Sequence, residues 1–274
     1  MIVQNEFFEI IKKRFDYFEK NTNCKIWCYG WSGSRAIGLE NKKSDYDIIG
    51  IYSNNKENDK DKIIGAIYEN CLCIEYKLYN LNYIVDNLIK WNRVKKIYPT
   101  IIYLHDSSMV HEDLYRNLIR LSLEHPIFIE DAFLQVFKNE IELGLCTNDC
   151  LDYYYSRAYM NYNNFEINEK INIRKYLYTL YEIMAIMWVI ENEKLPPTFI
   201  ELCNRFIADI NLKNKITNLF ELNAKGTAKE NLYTYRIDVI DKYIKNNLID
   251  LGEKIYRYSQ NNLDKKIIER RCII

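Results

Sequence analysis

The hydrophobic periodicity of the chain changes near residue 115, and this change limits the fold more than any other sequence feature. Before it, apolar runs of strand length lie at residues 25–29, 46–52 and 71–76, between helical patterns at residues 6–20 and 81–91. After it, only helical patterns follow, at residues 128–143, 149–165, 171–192, 198–208 and 229–247. The sequence therefore predicts an α+β protein. A domain of residues 1–118 with a small mixed sheet and helices precedes an all-helical domain of residues 119–274.

Composition and charge exclude several classes of protein. Of 274 residues 48% are apolar, which is enough for a real core, and the 38 basic residues equal the 38 acidic ones. No broad basic surface for nucleic acid follows from this balance. Glu6 and Glu9 interrupt the N-terminal segment, unlike in a signal peptide, and the longest apolar run, at residues 177–190, is too short to span a membrane. We expect a soluble, cytoplasmic protein without a membrane partner.

The eight cysteines do not indicate a disulfide framework or a zinc site. The pairs Cys24/Cys28, Cys71/Cys73 and Cys146/Cys150 lack the two-residue spacing of zinc knuckles. Without a secretory signal, reduced thiols are the simplest expectation, and no disulfide-linked partner is expected.

Residues 30–52, GWSGSRAIGLENKKSDYDIIGIY, contain four of the eight glycines and join two predicted strands. Gly33 allows a sharp turn and a close approach to a ligand, while Ser34 offers a hydroxyl and an N–H at the start of a helix. Such a turn suits a phosphate group, although a Gly-Ser step alone is an ordinary turn.

Two aspartates follow this turn at strand spacing. Alternation along residues 46–52 puts Asp45 and Asp47 on one face, roughly 7 Å apart along the backbone. Carboxylates held so close repel each other unless a cation lies between them, and Mg²⁺ prefers such oxygen ligands. Glu75, between apolar residues of the next strand, is the candidate third acid, with Glu69 as its competitor if the register differs. Phosphate binding beside metal-binding acids indicates nucleotidyl transfer, whereas the aspartate pair alone is typical of a solvated strand entry.

The combined motifs resemble the DNA polymerase beta-type nucleotidyltransferase superfamily. They are most similar to the RNA repair pathway DNA polymerase beta family, in which ESGSRAWG is followed by SDYD. The helical half, RKYLYTLYEIMAIMWVIENEKLPP at residues 174–197, resembles that family's KKYLYVLRPLLAARW and Pro-Pro turn. The resemblance implies a nucleotidyltransferase fold, an NTP such as ATP as substrate, Mg²⁺ or Mn²⁺ as cofactor, and an RNA end as acceptor. It implies that Asp45 and Asp47 hold both metals, that Glu75 holds one and helps to deprotonate the acceptor, and that Gly33 and Ser34 grip the triphosphate.

Further residues have a functional and a structural interpretation. Arg35 either contacts a phosphate or pairs with Glu40, and Lys175 either binds the nucleotide or belongs to a solvated helix face. The tyrosines and Arg157 of residues 152–159 either stack RNA bases or pack the core, and packing is the simpler account in a chain with 24 tyrosines.

Three departures from the family pattern motivate other functions. Trp31 and Tyr181 replace the usual Glu and Arg, and Glu75 replaces the commoner Asp. A nucleotide-binding or regulatory module that has lost catalysis is therefore one alternative. A transferase that modifies a protein or a small molecule is another, because the net charge is zero.

Overall fold

The computed structural model describes residues 4–42, 44–54, 62–69, 72–83, 126–129, 147–166, 170–192, 196–226 and 233–271. The chain divides into two compact units. The first comprises Met1–Ala36 and Asp45–Leu143, and the second comprises Ile37–Ser44 and Gly144–Ile274. The predicted domain boundary between residues 118 and 119 falls outside the described residues and stays a prediction.

The first unit is built on a mixed five-stranded sheet. Its elements are α1 (Gln4–Thr22), β1 (Cys24–Trp31), α2 (Gly33–Ala36), β2 (Tyr46–Asn54), β3 (Lys62–Glu69), β4 (Leu72–Asn80) and β5 (Pro126–Ile129). The strand order is β3-β4-β2-β1-β5. The β2/β4 pair is parallel, and the other neighbouring pairs are antiparallel. The predicted small mixed sheet with helices is confirmed.

Helix α1 covers one face of this sheet, as its apolar stripe predicts. Phe7, Ile11 and Phe15 are buried in a cluster with Ile48 of β2 and Ile74 of β4. Alternation in each strand then directs the intervening residues to the other face of the sheet.

The sequence interpretation missed two strands of the sheet. Strand β3 pairs with β4, and β5 pairs with β1 through Phe128, which was expected to lie in a helix. That expectation was wrong because β5 is stabilised by a partner about a hundred residues earlier in the chain, which local periodicity does not detect. The remainder of the predicted helix at residues 128–143, and the predicted helix at residues 81–91 beyond residue 83, lie outside the described residues.

The second unit is helical, as predicted, but it also contains a small β-ribbon. Its elements are α3 (Thr147–Glu166), β6 (Lys170–Asn172), α4 (Ile173–Asn192), α5 (Phe199–Phe206), α6 (Ile210–Lys225), β7 (Tyr233–Tyr235) and α7 (Asp238–Arg271). Strands β6 and β7 pair antiparallel, so two predicted helices begin later than expected. Three-residue strands are too short to leave a periodic signal.

Helix α4 forms the centre of the second unit. Leu177, Leu180 and Ile183 are fully buried, as expected for the long apolar run. Helix α6 begins at the Asp209 cap, whose carboxylate accepts a hydrogen bond from the Leu212 N–H (2.7 Å), and ends at Gly226 with a φ of 37°. Gly226 therefore has the helix-ending role predicted for it.

The short segment Ile37–Ser44 packs within the second unit. The Phe199 N–H donates to the Ile37 carbonyl (2.9 Å), and the Asn223 amide donates to the Leu39 carbonyl (3.0 Å). Arg174 donates to the Ser44 hydroxyl (2.7 Å). This segment, which joins the Gly-Ser step to the aspartates in the sequence, thus forms hydrogen bonds with helices of the second unit, to which it belongs.

Among the helices that the structure describes, none is long and apolar enough to cross a membrane. In the same residues Cys24, Cys28, Cys73 and Cys203 are free thiols. Burial raises the pKa of both Cys28 and Cys203 to about 12, so these thiols stay protonated at neutral pH.

Candidate active site

Strands β2 and β4 bring two of the predicted acids side by side. Asp47 pairs directly with Glu75 in the parallel register. Paired residues of neighbouring strands project from the same face, and the strands lie about 4.8 Å apart. Asp47 and Glu75 are therefore neighbours on one face, while Glu69 pairs with Leu72 at the other end of the β3/β4 ladder.

The face that carries these acids is the one opposite α1. Tyr46 and Ile48, which flank Asp47, both pack in the α1 cluster, and the Tyr46 ring lies 4.9 Å from that of Phe7. This arrangement agrees with the expected alternation. Asp45 precedes β2 and is exposed.

The Gly-Ser turn contacts Asp47 directly. Gly33 has a φ of 62°, and a Cβ at this position would lie 2.6 Å from Asp47 Oδ2. The Ser32 N–H donates to the Asp47 carbonyl (2.9 Å), which ties the turn to the start of β2. Only glycine fits here, because both the left-handed backbone and the nearby carboxylate exclude a side chain. Ser34 follows in α2 and is buried.

Arg35 lies against the same strand entry. Its Nε donates to the Asp45 carbonyl (3.2 Å), and its guanidinium carbon is 3.8 Å from the centre of the Tyr46 ring. These contacts hold the positive charge near the aspartates.

The surroundings of Asp47 shift its pKa. Partial burial raises the pKa of Asp47, and the negative charges of Asp45 and Glu75 raise it further. Lys77 and Arg35 act in the opposite direction, but the net shift is upward. Sequence reasoning missed Lys77. Its signal was its position two residues after Glu75 in one strand, which puts both side chains on the acid-bearing face.

The donor chemistry of the three acids suits a divalent cation. Carboxylate oxygens are the ligands that Mg²⁺ and Mn²⁺ prefer, and a cation would relieve the repulsion that raises the pKa of Asp47. Within the described ranges, however, no group of three His, Cys, Asp or Glu side chains is close enough to hold one ion. The acids influence one another without forming a preassembled ligand set.

Trp31, one of the three departures, lies away from the acids. It pairs with Ile48 across β1 and β2, and its ring stacks on Phe7 at 4.7 Å. Its side chain is therefore on the α1 face, opposite Asp47. A tryptophan here removes no acid from the face that carries Asp47 and Glu75.

The candidate residues of the helical half belong to the second unit. Lys175 is exposed on α4, and its predicted contact with a nucleotide stays a prediction. Tyr181 is only 2% exposed and packs edge-on against Tyr154, with ring centres 6.2 Å apart. Arg157 Nε donates to buried Glu182 (2.8 Å), so this part of residues 152–159 serves the core, which agrees with the structural interpretation.

An in-register acid pair on a mixed sheet, next to a Gly-Ser turn, is the arrangement expected of a nucleotidyltransferase-like protein. The sequence profile of the RNA repair pathway DNA polymerase beta family matches residues 119–271, which is more than half of the chain. The protein belongs to this family. The matched range includes the motif at residues 174–197, while the Gly-Ser step and the three acids precede it.

Comparison with individual proteins gives one sequence relative and one solved structure. Uncharacterized protein YcgL of Bacillus subtilis (strain 168) is 27% identical over 230 residues, covering 83% of this chain and 80% of YcgL. A solved nucleotidyltransferase-like protein from Exiguobacterium sibiricum 255-15 is 11% identical. That comparison covers 92% of this chain and 75% of the other, with a low TM-score of 0.30.

Proposed function

We propose that the protein transfers a nucleoside monophosphate from an NTP to an acceptor hydroxyl, using divalent cations held by Asp45, Asp47 and Glu75. The observation that carries this proposal is the direct pairing of Asp47 with Glu75 beside the Gly33 turn. Partial burial, and then the negative charges of Asp45 and Glu75, raise the pKa of Asp47 there. A carboxylate whose pKa is shifted by burial and by neighbouring charges is frequent at functional sites.

The roles of the residues follow from their chemistry. The Gly33-Ser34 turn holds the triphosphate, because Gly33 leaves room for close approach and the turn offers backbone N–H donors. Arg35 neutralises charge of the triphosphate next to the aspartates. The nucleotide contact of Lys175 stays a prediction from the sequence.

The reaction forms one bond and breaks another at the α-phosphorus. The acceptor oxygen bonds to this atom, the bond to the oxygen that bridges the β-phosphorus breaks, and pyrophosphate leaves. Glu75 accepts the acceptor's proton. Bound Mg²⁺ or Mn²⁺ supplies charge neutralisation and makes the acceptor hydroxyl more acidic.

An RNA end is the acceptor that we infer from the family description. The zero net charge gives no general support for nucleic acid, so local features must provide the contact. Modification of a protein or a small molecule is the competing enzymatic function, and nucleotide binding without turnover is the competing regulatory one.

Label transfer tests the proposal. The full chain is incubated with each α-labelled NTP in Mg²⁺ or Mn²⁺, with total RNA or with cell extract, and the products are separated by size. We expect Asp47→Asn to lower transfer about a thousandfold, since it removes one charged metal ligand. Asp16→Asn, at an exposed position of α1, is the matched control and retains activity.

Metal binding gives a second measurement that does not depend on turnover. Mg²⁺ or Mn²⁺ raises the melting temperature of the protein and of Asp16→Asn, but raises that of Asp47→Asn much less. Full transfer by Asp47→Asn would refute the proposal. Nucleotide binding without transfer to any acceptor would identify a regulatory module instead.

A further inference from the structure

The acid-bearing face of the sheet continues beyond Glu75 onto β3. Glu75 pairs with Ala66, so Asp47, Glu75 and Ala66 form one row across three strands. Alternation along β3 puts Lys62, Ile64 and Tyr68 on this same face. We call these three residues the β3 strip.

The β3 strip exposes apolar side chains that the core does not use. Tyr68 is 79% exposed and Ile64 is 60% exposed. The opposite face of β3 serves the core instead, because Ile63 and Ile67 pack in the α1 cluster. Ile64 and Tyr68 are thus accessible to a ligand on the face of the sheet that carries the acid pair.

Two lysines accompany these apolar groups. Lys77 pairs with Ile64 across β3 and β4, and Lys62 pairs with Tyr79 further along the same face. Tyr68 lies on the other side of the acid row, where it pairs with Cys73. An aromatic ring and two positive charges thus lie on either side of Glu75.

The position of the nucleotide turn determines which way an acceptor must extend. Gly33 contacts Asp47, at one end of the row of acids. Ala66, which lies between Ile64 and Tyr68 on this face of β3, is at the other end, next to Glu75. An acceptor whose hydroxyl reaches Glu75 while a triphosphate lies at Gly33 has its remaining atoms over β3.

We propose that the β3 strip is the acceptor subsite and takes the 3′ end of single-stranded RNA; this inference rests on the proposed transferase function. The terminal base stacks on Tyr68, Ile64 contacts the sugar, and Lys62 and Lys77 attract the phosphates. A 3′ nucleotide combines a flat ring, a free hydroxyl and negative charge within one unit, and that combination matches the strip. A protein acceptor lacks the regular negative charge that two lysines favour.

RNA binding without NTP tests the strip separately from catalysis. The full chain and its variants are titrated with a labelled single-stranded RNA of about ten nucleotides, and fluorescence anisotropy gives the Kd. We expect Tyr68→Ala to raise the Kd roughly tenfold, because it removes one base stack, and Tyr68→Phe to preserve it. Tyr17→Ala is the matched control, since Tyr17 is also an exposed tyrosine, at 59%, but lies on α1 and outside the β3 strip.

The salt dependence of RNA binding tests the contribution of Lys62. In a plot of log K against log salt concentration, Lys62→Gln decreases the slope by about one, while Tyr68→Ala leaves the slope unchanged. In the transfer assay Tyr68→Ala raises KM for RNA and leaves KM for NTP unaltered.

The outcomes separate the two proposals. Transfer to RNA with equal Kd and KM for Tyr68→Ala and the unaltered protein would overturn the strip and leave the transferase standing. Tyr68-dependent RNA binding without any transfer would show that the strip binds RNA, but it would refute the transferase and with it the role of the strip as an acceptor subsite. Transfer of label to protein alone would overturn the RNA assignment. Sedimentation of the unaltered protein as a dimer that Tyr68→Ala dissociates would also overturn it, because β3 would then be an interface between two copies of the chain.

Discussion

The buried acids of the two units have opposite surroundings. In the helical unit, Glu182 is 3% exposed and accepts a hydrogen bond from Arg157 Nε at 2.8 Å. Asp241 accepts one from Arg236 Nε at 2.7 Å and another from the Tyr176 hydroxyl. In the sheet unit, partial burial raises the pKa of Asp47, and two further acids raise it more, despite Lys77 and Arg35.

This difference separates acids that stabilise the fold from acids available for chemistry. A buried carboxylate with its arginine and hydrogen bonds is a satisfied structural group, and losing the partner is costly. A half-buried carboxylate among other carboxylates costs free energy as long as no cation is present. Such a cost is expected where a ligand supplies the missing charge.

The largest expected effect is the loss of one structural ion pair. Arg157→Met leaves Glu182 buried without its positive partner, so the free energy of unfolding should fall by about 3 kcal/mol. Urea unfolding followed by circular dichroism measures it. Arg205→Met is the control, because Arg205 and Glu191 form an exposed pair at 3.4 Å, and its loss should be under about 1 kcal/mol. An equal loss of unfolding free energy in the two variants would show that the buried pair of Glu182 stabilises the fold no more than an exposed pair does.

A smaller effect is expected where the backbone accommodates Asp47. Gly33→Ala puts a Cβ in a left-handed conformation and against Asp47 Oδ2, so we expect it to cost about 2 kcal/mol of stability. Gly38→Ala is the matched control, because its φ of 69° imposes the same backbone strain while its Cβ meets Thr198 only at 3.4 Å. If chemical unfolding shows the same loss in free energy of unfolding for Gly33→Ala and Gly38→Ala, the contact with Asp47 does not affect stability.

The smallest expected effect has the opposite sign. Because the folded protein raises the pKa of Asp47, the ionised carboxylate destabilises the fold once the pH exceeds that raised value. Asp47→Asn should therefore increase stability at neutral pH, by at most about 1 kcal/mol after solvent screening. The gain should disappear as the pH falls below the ordinary pKa of an aspartate.

Thermal unfolding across a pH series without divalent cations measures this gain. Glu182→Gln serves as the comparison and should be destabilising at neutral pH, since it weakens a satisfied ion pair. A destabilised Asp47→Asn would mean that Asp47 is a structural acid like Glu182.

The local sequence pattern was enough to predict the parts of the fold that depend on interactions between residues close together in the chain. The stripe of α1, the strand that begins at Tyr46 and the end of α6 at Gly226 all agree with expectation. The choice of Glu75 as the third acid placed it on a strand, and β4 does lie next to β2. These features depend on side-chain alternation, helical periodicity and the conformational freedom of glycine.

Other features depend on partners distant in the chain. Strand β5 exists because it pairs with β1, and β6 because it pairs with β7. The departures Trp31 and Tyr181 invited a functional interpretation, yet Trp31 packs on α1 and Tyr181 lies in the helical core. The residue type at a position does not by itself show whether the side chain faces the site or the core.

The sequence by itself determined the α+β class, the helical second half, the Gly-Ser turn and the spacing of the aspartates, because each follows from interactions within a few residues. Only the tertiary structure decided that Asp47 lies opposite Glu75, that Lys77 and the β3 strip share their face, and that Glu182 is neutralised by Arg157. Strand order, register and side-chain pairing bring together residues that are far apart in the chain, and the free energy of those contacts leaves no local signal.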